Sequence, residues 1–201
     1  VEAALRCHDF ESACCCALVV GRVALWRGPF GLTADWLETL IGIVPEGSAR
    51  VRLQLLLANH LIRASRSSQA VEVVSEALKQ AENLSVPSLE IEALYLLNII
   101  GELKHEMDEC TKRIARAEQL IAASGDVYFQ IRLWINRSNL EKYKGAIEQS
   151  IATLEHTQKL ARQTNDHRAL ATALNNLGAI YTDLGRFEHA ENAYLEAKVI
   201  Y

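Results

Sequence analysis

The residues of this 201-residue chain that could do chemistry are five cysteines, six histidines, and hydroxyls and acids spread between them. Cys14, Cys15 and Cys16 stand together, which suggests metal or redox work until helix geometry is applied. Successive helical residues point ~100° apart, so three adjacent thiols cannot converge on one ion. Cys7 beside His8 is half of a metal site, but no CxxC or HxxxH pair accompanies it, and Cys110 reads as a packing residue. His8, His60, His105, His156, His167 and His189 fall near helix ends or on charged faces and read as surface residues. His105-Glu106 lacks the second histidine of a zinc-protease helix, and Gly28-Pro29-Phe30-Gly31 lacks both the glycine spacing and the Lys-Ser/Thr of a phosphate loop. No serine sits in a nucleophile elbow. The expectation is a protein that is not an enzyme, with no metal and no cofactor.

Composition narrows the class further. Half of the residues are apolar, 23% are charged and three are proline, so the chain should fold, and mostly as helix. Net charge is −4, and residues 1–50 and 51–201 are each two units negative, with bases and acids mixed in both. Lys112, Arg113 and Arg116 share a helix with Glu106, Asp108, Glu109 and Glu118, an ordinary solvated face. A nucleic-acid surface is therefore not expected. The longest apolar stretch, Ala13 to Val20, is far short of the ~20 residues of a membrane span, and no signal peptide is legible. An odd number of cysteines, three of them consecutive, is a poor disulfide framework and points to the cytoplasm. Val1 in first place, and a last residue inside a helical segment, suggest a piece of a longer protein.

The elements that would position any site repeat. Leu174, Gly178, Gly185, Phe187, Ala190, Tyr194 and Ala197 lie opposite Trp134, Ser138, Gly145, Ile147, Ser150, Leu154 and Thr157 at an offset of 40. A second step of 40 reaches Leu94, Asn98, Met107, Cys110, Ile114 and Ala117, and a third Ala58, Ala70, Val74 and Ala77. Small residues thus stand seven apart with a bulky one between, nearly two turns on one helix face, as close helix crossings require. Breaks at Gly28-Pro29, Pro45 to Ser48, Ser65 to Ser68, Val86 to Ser88, Ser124 to Asp126, Lys144-Gly145, Thr164 to Asp166 and Leu184-Gly185 separate the helices. These are predicted near 9–27, 32–43, 48–64, 68–84, 88–104, 107–123, 127–143, 147–163, 167–183 and 187–201, with N-caps at Asp9, Ser48, Ser68, Ser88, Asp126 and Asp166. One all-α domain over 1–201 follows, with repeat units near 9–45 (degenerate), 48–86, 88–125, 127–165 and 167–201. In the first of these, Gly21, Gly28, Phe30 and Leu37 imitate Gly178, Gly185, Phe187 and Tyr194 at an offset of 157.

Leu177-Gly178, Tyr181, Gly185-Arg186-Phe187, Ala190, Tyr194 and Ala197 stand at the spacings of the tetratricopeptide repeat, which the last unit resembles. The closing proline of that family is absent, and the period is 40 against the usual ~34. The resemblance implies a right-handed superhelical solenoid of antiparallel helix pairs, first helices lining the concave side. It also implies peptide or protein binding there, asparagines holding a ligand backbone and basic residues its carboxylates. An amide offers donor and acceptor together, and a guanidinium or ammonium suits an acidic group. The concave-face candidates are Arg52, Asn59, Arg63, Tyr95, Arg132, Asn136, Asn139, Lys142 and Asn175, among apolar neighbours such as Leu55, Ile99 and Ile135. A plainer reading has Asn175 and Asn176 bonding neighbouring helix ends. Leu25-Trp26-Arg27-Gly28 followed by Trp36-Leu37 resembles the helical sensor region of large ATP-dependent LuxR-class bacterial regulators, implying small-effector sensing or self-association. Bacterial quorum-peptide receptors and kinesin light chains offer further counterparts. Partners are expected to be proteins or peptides, with self-association through the apolar C-terminal helix, or an intramolecular scaffold without external ligand, as the rival.

Overall fold

The computed structural model describes residues 1–7 and 9–200, and within them every side chain except that of Arg27. His8 and Tyr201, and the Arg27 side chain within the Leu25–Gly28 segment, lie outside what is described. Among the described residues the chain forms eleven helices and no strand. They are α1 (Glu2–Arg6), α2 (Phe10–Arg27), α3 (Phe30–Ile41), α4 (Ser48–Arg63), α5 (Ser67–Leu84), α6 (Pro87–Leu103), α7 (Met107–Ser124), α8 (Val127–Tyr143), α9 (Ile147–Gln163), α10 (His167–Asp183) and α11 (Phe187–Ile200). All but α1 agree with the sequence map to within two residues at each end.

The turns carry the repeat as clearly as the helices do. Ser65, His105, Gly145 and Gly185, each 40 residues after the last, have φ of 60°, 60°, 79° and 70°. Ser85, Gly125 and Asn165 form a second such series with φ of 54°, 69° and 54°. After each residue of the first series the next amide donates back five residues, Arg66 to Leu61, Glu106 to Gly101, Ala146 to Glu141 and Arg186 to Tyr181. This is the Schellman closure, which satisfies the carbonyls that a helix end leaves unpaired. Serine, histidine and asparagine accept the left-handed conformation here because the closure fixes it, so the turn signal in the sequence is weaker than glycine alone would give.

Caps follow the same economy. Asp9, Asp126 and Asp166 accept from the amides of Ser12, Phe129 and Ala169 as expected. Ser48, Ser68 and Ser88 do not cap: the N-cap positions are Gly47, Arg66 and Val86, and the three serines lie inside their helices. The helix before Ser68 ends in a turn so short that the next starts a residue earlier, and Pro87 takes the first helical position, where a missing N–H costs nothing.

Residues 1–106 and 107–201 are two compact units. In the first, α4 is the hub, packed on α2, α3, α5 and α6. Its leucines Leu53, Leu55, Leu56 and Leu57 join Leu37, Val74, Leu96 and Ile100 in one buried cluster. In the second, α9 and α10 pack against each other, α8 lies against α7 and α9, and α11 lies on α10. The small residues predicted at the crossings, Ala70 and Ala77, Cys110 and Ala117, Ser150 and Thr157, Ala190 and Ala197, are all buried. Where Gly178 crosses α11, a Cβ would stand 2.6 Å from the Tyr194 ring. Ser138, at the corresponding place, uses its backbone carbonyl instead, accepting from Ser150 Oγ at 2.8 Å.

Gly21 answers to Gly178 in position but not in partner. Its Cβ would meet Leu56 of α4 at 2.5 Å, not Leu37 of α3, so the first hairpin is held chiefly by the helix that follows it. His60 completes that crossing. Read from the sequence as a surface residue, it is fully buried, at the repeat position that Ile100, Leu140 and Ile180 occupy elsewhere. Its Nε2 lies 3.0 Å from the Gly21 carbonyl oxygen, an acceptor, so this nitrogen carries the proton. Nδ1 is buried without a partner. Burial, supported by nearby Arg63 and opposed by the Gly21 carbonyl, holds the imidazole below its usual 6.5.

Gly178→Ala is expected to lower stability by ~1–3 kcal/mol in urea unfolding, because the Tyr194 ring must swing off the crossing; an unchanged midpoint would show that the approach is not tight. The unfolded chain binds a proton at His60 near pH 6.5 that the folded one refuses. Stability contributed here is therefore complete above pH 6.5 and is lost as pH falls toward the depressed folded value. His60→Leu should flatten the difference between unfolding midpoints measured at about pH 5 and about pH 7.5.

Candidate functional site

Along α4, α6, α8 and α10, the first helices of the four clear repeats, a strip of exposed and half-buried residues runs beside the buried face. In the first unit it carries Arg52, Asn59 and Arg63 on α4, and Glu92, Tyr95, Ile99 and Glu102 on α6. Arg52 and Arg63 are exposed, Asn59 and Tyr95 half-buried, and the Arg63 guanidinium stands 5.6 Å from the centre of the Phe30 ring. Leu55, expected on this strip, is fully buried in the core of the unit.

In the second unit the strip carries Arg132, Ile135, Asn139 and Lys142 on α8, then Thr172, Asn175, Ala179 and Thr182 on α10. Arg132 is already engaged: Nη1 lies 2.8 Å from Asp166 Oδ2, Cζ sits 3.5 Å from the centre of the Tyr128 ring, and the side chain is only 15% exposed. Burial pushes the Asp166 carboxyl up, but the amide of Ala169 and the Arg132 guanidinium outweigh it and hold the group below its ordinary value. Lys142 Nζ pairs with Asp183 Oδ2 at 2.7 Å, leaving the ammonium partly exposed. Asn139 Oδ1 accepts from Asn176 Nδ2 at 3.0 Å, joining α8 to α10. Asn175 is exposed, and its amide makes no hydrogen bond among the described residues. Thr172 and Thr182 turn their hydroxyls back to the carbonyls of Arg168 and Gly178. Asn136 is 3% exposed and lies inside the unit, one position round the helix from Ile135, which holds the surface.

What sequence reasoning missed is the polar interior of α8. Arg137 donates from Nη1 to Glu118 of α7 and from Nε to Glu141 one turn on, both at 2.9 Å. Glu141 Oε2 also accepts from Thr153 of α9 at 2.8 Å. Arg137 and Glu141 stand where α10 has Leu177 and Tyr181, so an ionic network joins three helices where apolar side chains serve elsewhere. The i, i+4 spacing of Arg137 and Glu141 was the available signal; its inward direction was not. Beside the network, α7 and α8 leave an open depression of about 460 Å³ lined by Glu118, Ile121, Ala122, Gly125, Val127, Gln130, Leu133 and Trp134. The Trp134 ring is 4.5 Å from that of His156 between centres.

No reaction centre emerges from these groups. The cysteine run divides by helix geometry: Cys14 is buried, its thiol pushed up by burial and then by Cys15, whereas Cys15 and Cys16 are exposed. Among the described residues no three His, Cys, Asp or Glu side chains are placed to hold a metal ion, and no helix is long and apolar enough to cross a membrane.

Fold and strip together define a helical-repeat protein of stacked hairpins that presents a surface. Residues 129–200 match the tetratricopeptide repeat family. No curated protein matches the chain. Among solved structures, BtubC (BKLC) from P. vanneervenii is 16% identical with a TM-score of 0.74, over 99% of this chain and 84% of that one. Aspartyl phosphate phosphatase F from Bacillus subtilis is 11% identical with a TM-score of 0.69, over 96% and 60%. Kinesin light chain TPR-like repeats of Podosopora anserina are 15% identical with a TM-score of 0.60, over 92% of each chain. At these identities the likeness is one of fold: the chain is all-α and built as tetratricopeptide-like repeats.

Arg137→Leu should cost ~1–2 kcal/mol in thermal or urea unfolding, since Glu141 is left buried without its cation while partial exposure softens the loss. The pair Arg137→Leu with Glu141→Tyr, which copies α10, should recover most of it. A double variant no more stable than the single one would show that the network does not stand in for apolar packing.

Proposed function

We propose that the chain is a non-catalytic protein- or peptide-binding module, a single repeat domain from a cytosolic signalling or transcription regulator. The observation that carries this reading is the strip of the second unit, where Asn139, Lys142 and Asn175 lie side by side on α8 and α10 in reach of solvent. Asn175 presents a donor and an acceptor to an extended main chain, and the Lys142 ammonium, paired with the exposed Asp183 carboxylate, is available to a ligand carboxylate. Arg132 positions rather than binds: its ion pair with the capping carboxylate of Asp166 ties α8 to the start of α10 and fixes the spacing of the strip. On the first unit Arg52, Asn59, Arg63 and Tyr95 give a second polar strip of the same kind. Asn136 has no direct part in binding. The fold shared with kinesin light chain repeats and with an aspartyl phosphate phosphatase suits a role in regulation by contact, though the chemistry of the strip is the reason for the assignment.

Fluorescence anisotropy with a positional library of short acidic peptides tests this. Asn175→Ala and Lys142→Ala should each weaken the tightest binder by roughly 3–10-fold, with unchanged melting, as loss of one exposed hydrogen bond or ion pair predicts. Absence of binding across the library, or affinities insensitive to both substitutions, would remove the proposal.

A further inference from the structure

The seam between α7 and α8 is built differently from the seam between α9 and α10 in the same unit. Gln130 and Trp134 of α8 stand where α10, 40 residues on, has Leu170 and Leu174. Those two leucines are buried, in one cluster with Ala161 of α9 and Ala197 of α11. Gln130 and Trp134 are only half-buried, and both line the open depression of about 460 Å³ beside α7. Glu118 lines it from α7, at the position that Gln158 holds in α9 and the half-buried Leu78 in α5. Positions whose side chains close the α9–α10 seam thus leave this one open, with a volume in the range of small-ligand sites.

The lining specifies what fits. Ile121 and Leu133 are buried and make part of it apolar, and the Trp134 ring adds a flat aromatic surface. The Trp134 indole N–H and the Gln130 side-chain amide make no hydrogen bond among the described residues. Glu118 brings the charge. Its Oε1 accepts from Arg137, whose guanidinium also serves Glu141, so the three groups together carry one negative charge. A neutral apolar body over the depression would take the Glu118 carboxylate from water without replacing its hydrogen bonds, and an anion would meet it with like sign. A cation on a flat ring does neither: the ammonium pairs with the carboxylate, the ring packs on Trp134 and its aliphatic neighbours, and a positive charge near an indole face is itself favourable.

We infer that the α7–α8 depression is a binding site for a small organic cation, a protonated amine carried on an aromatic ring. Glu118 takes the ammonium, Trp134, Ile121 and Leu133 take the ring, and the Gln130 amide offers a donor and an acceptor beside them. The site uses none of the strip residues and stands independently of the peptide-binding reading.

Titration of the unaltered chain with 2-phenylethylamine, 2-phenylethanol and phenylacetate, followed by calorimetry and by the indole N–H resonances in nitrogen-15 NMR, is the test. These three probes share a ring and differ in charge, so the comparison needs no substitution. The amine should bind about tenfold more tightly than the alcohol, and the acid more weakly than either, as a part-exposed charge pair beside an indole predicts. Sodium chloride should shrink the advantage of the amine. Of the indole resonances, that of Trp134 should move while those of Trp26 and Trp36 stay. Glu118→Gln, which installs the residue of α9 and leaves Arg137 paired with Glu141, should bring the amine down to the affinity of the alcohol and leave the alcohol unchanged. Trp134→Leu, which installs the residue of α10, should weaken both by roughly 3–10-fold. An amine that does not bind in preference to the alcohol, binding that leaves the Trp134 resonance in place, or a preference that survives Glu118→Gln would each overturn the inference.

Discussion

Everything in this structure depends on how closely two helices may approach where they cross. At the Gly178 crossing with Tyr194 there is no room for one more carbon, and the buried small residues of α5, α7, α9 and α11 set the same limit on the facing helix. A small residue on one helix admits a bulky one from its neighbour, and the alternation at seven residues keeps both on one face. Because a helical face returns on itself only after whole turns, this alternation also fixes where the chain can turn. The left-handed turn residues fall at the same interval as the crossings, 40 residues apart, since each closes a helix whose length the crossing has already determined.

Within that limit the chain also places polar groups among its packed helices, and at His60 and at the Arg137–Glu141 pair the sequence departs from the apolar residues of the other repeats. His60 stands where three other repeats have isoleucine or leucine, and its N–H reaches the Gly21 carbonyl because no side chain intervenes at that glycine. Arg137 and Glu141 replace a leucine and a tyrosine, and the polar result is balanced by Glu118 and Thr153 from the helices on either side. An unbalanced group at either place would carry the full cost of desolvation. The N-terminal hairpin is consequently held by a hydrogen bond as well as by packing, whereas α7 meets α8 across ions and an open depression. Neither arrangement creates a reactive group: the imidazole is enclosed, and the Glu118 and Glu141 carboxylates share the Arg137 guanidinium.

The strip of candidate binding residues illustrates what one repeat position can mean. Arg52 and Arg132 occupy the same place two units apart, yet Arg52 is exposed and Arg132 is locked between a tyrosine ring and a capping aspartate. Asn175 and Asn176 are adjacent, and one faces solvent while the other bonds across to α8. Sequence spacing placed these side chains on the correct helices. It could not say which had a partner, because the partners, Asp166, Asp183 and Asn176, come from a different helix and are invisible to local periodicity.

From the sequence alone came the all-helical class, the 40-residue interval, the helix limits to within two residues and the small crossing positions, because each is a local or periodic property of side-chain volume and turn chemistry. Cap identity at Asp9, Asp126 and Asp166 was legible for the same reason, and at Ser48, Ser68 and Ser88 it was not, since competing cap positions lie one or two residues apart. The tertiary structure decided which way side chains face when a helix is covered on several sides. It put His60, Leu55 and Asn136 inside, turned Arg137 and Glu141 inward, and left Val20, Val23 and Phe187 in solvent. Burial at those positions depends on whether another helix lies over them, and no spacing within one helix records the presence of its neighbour.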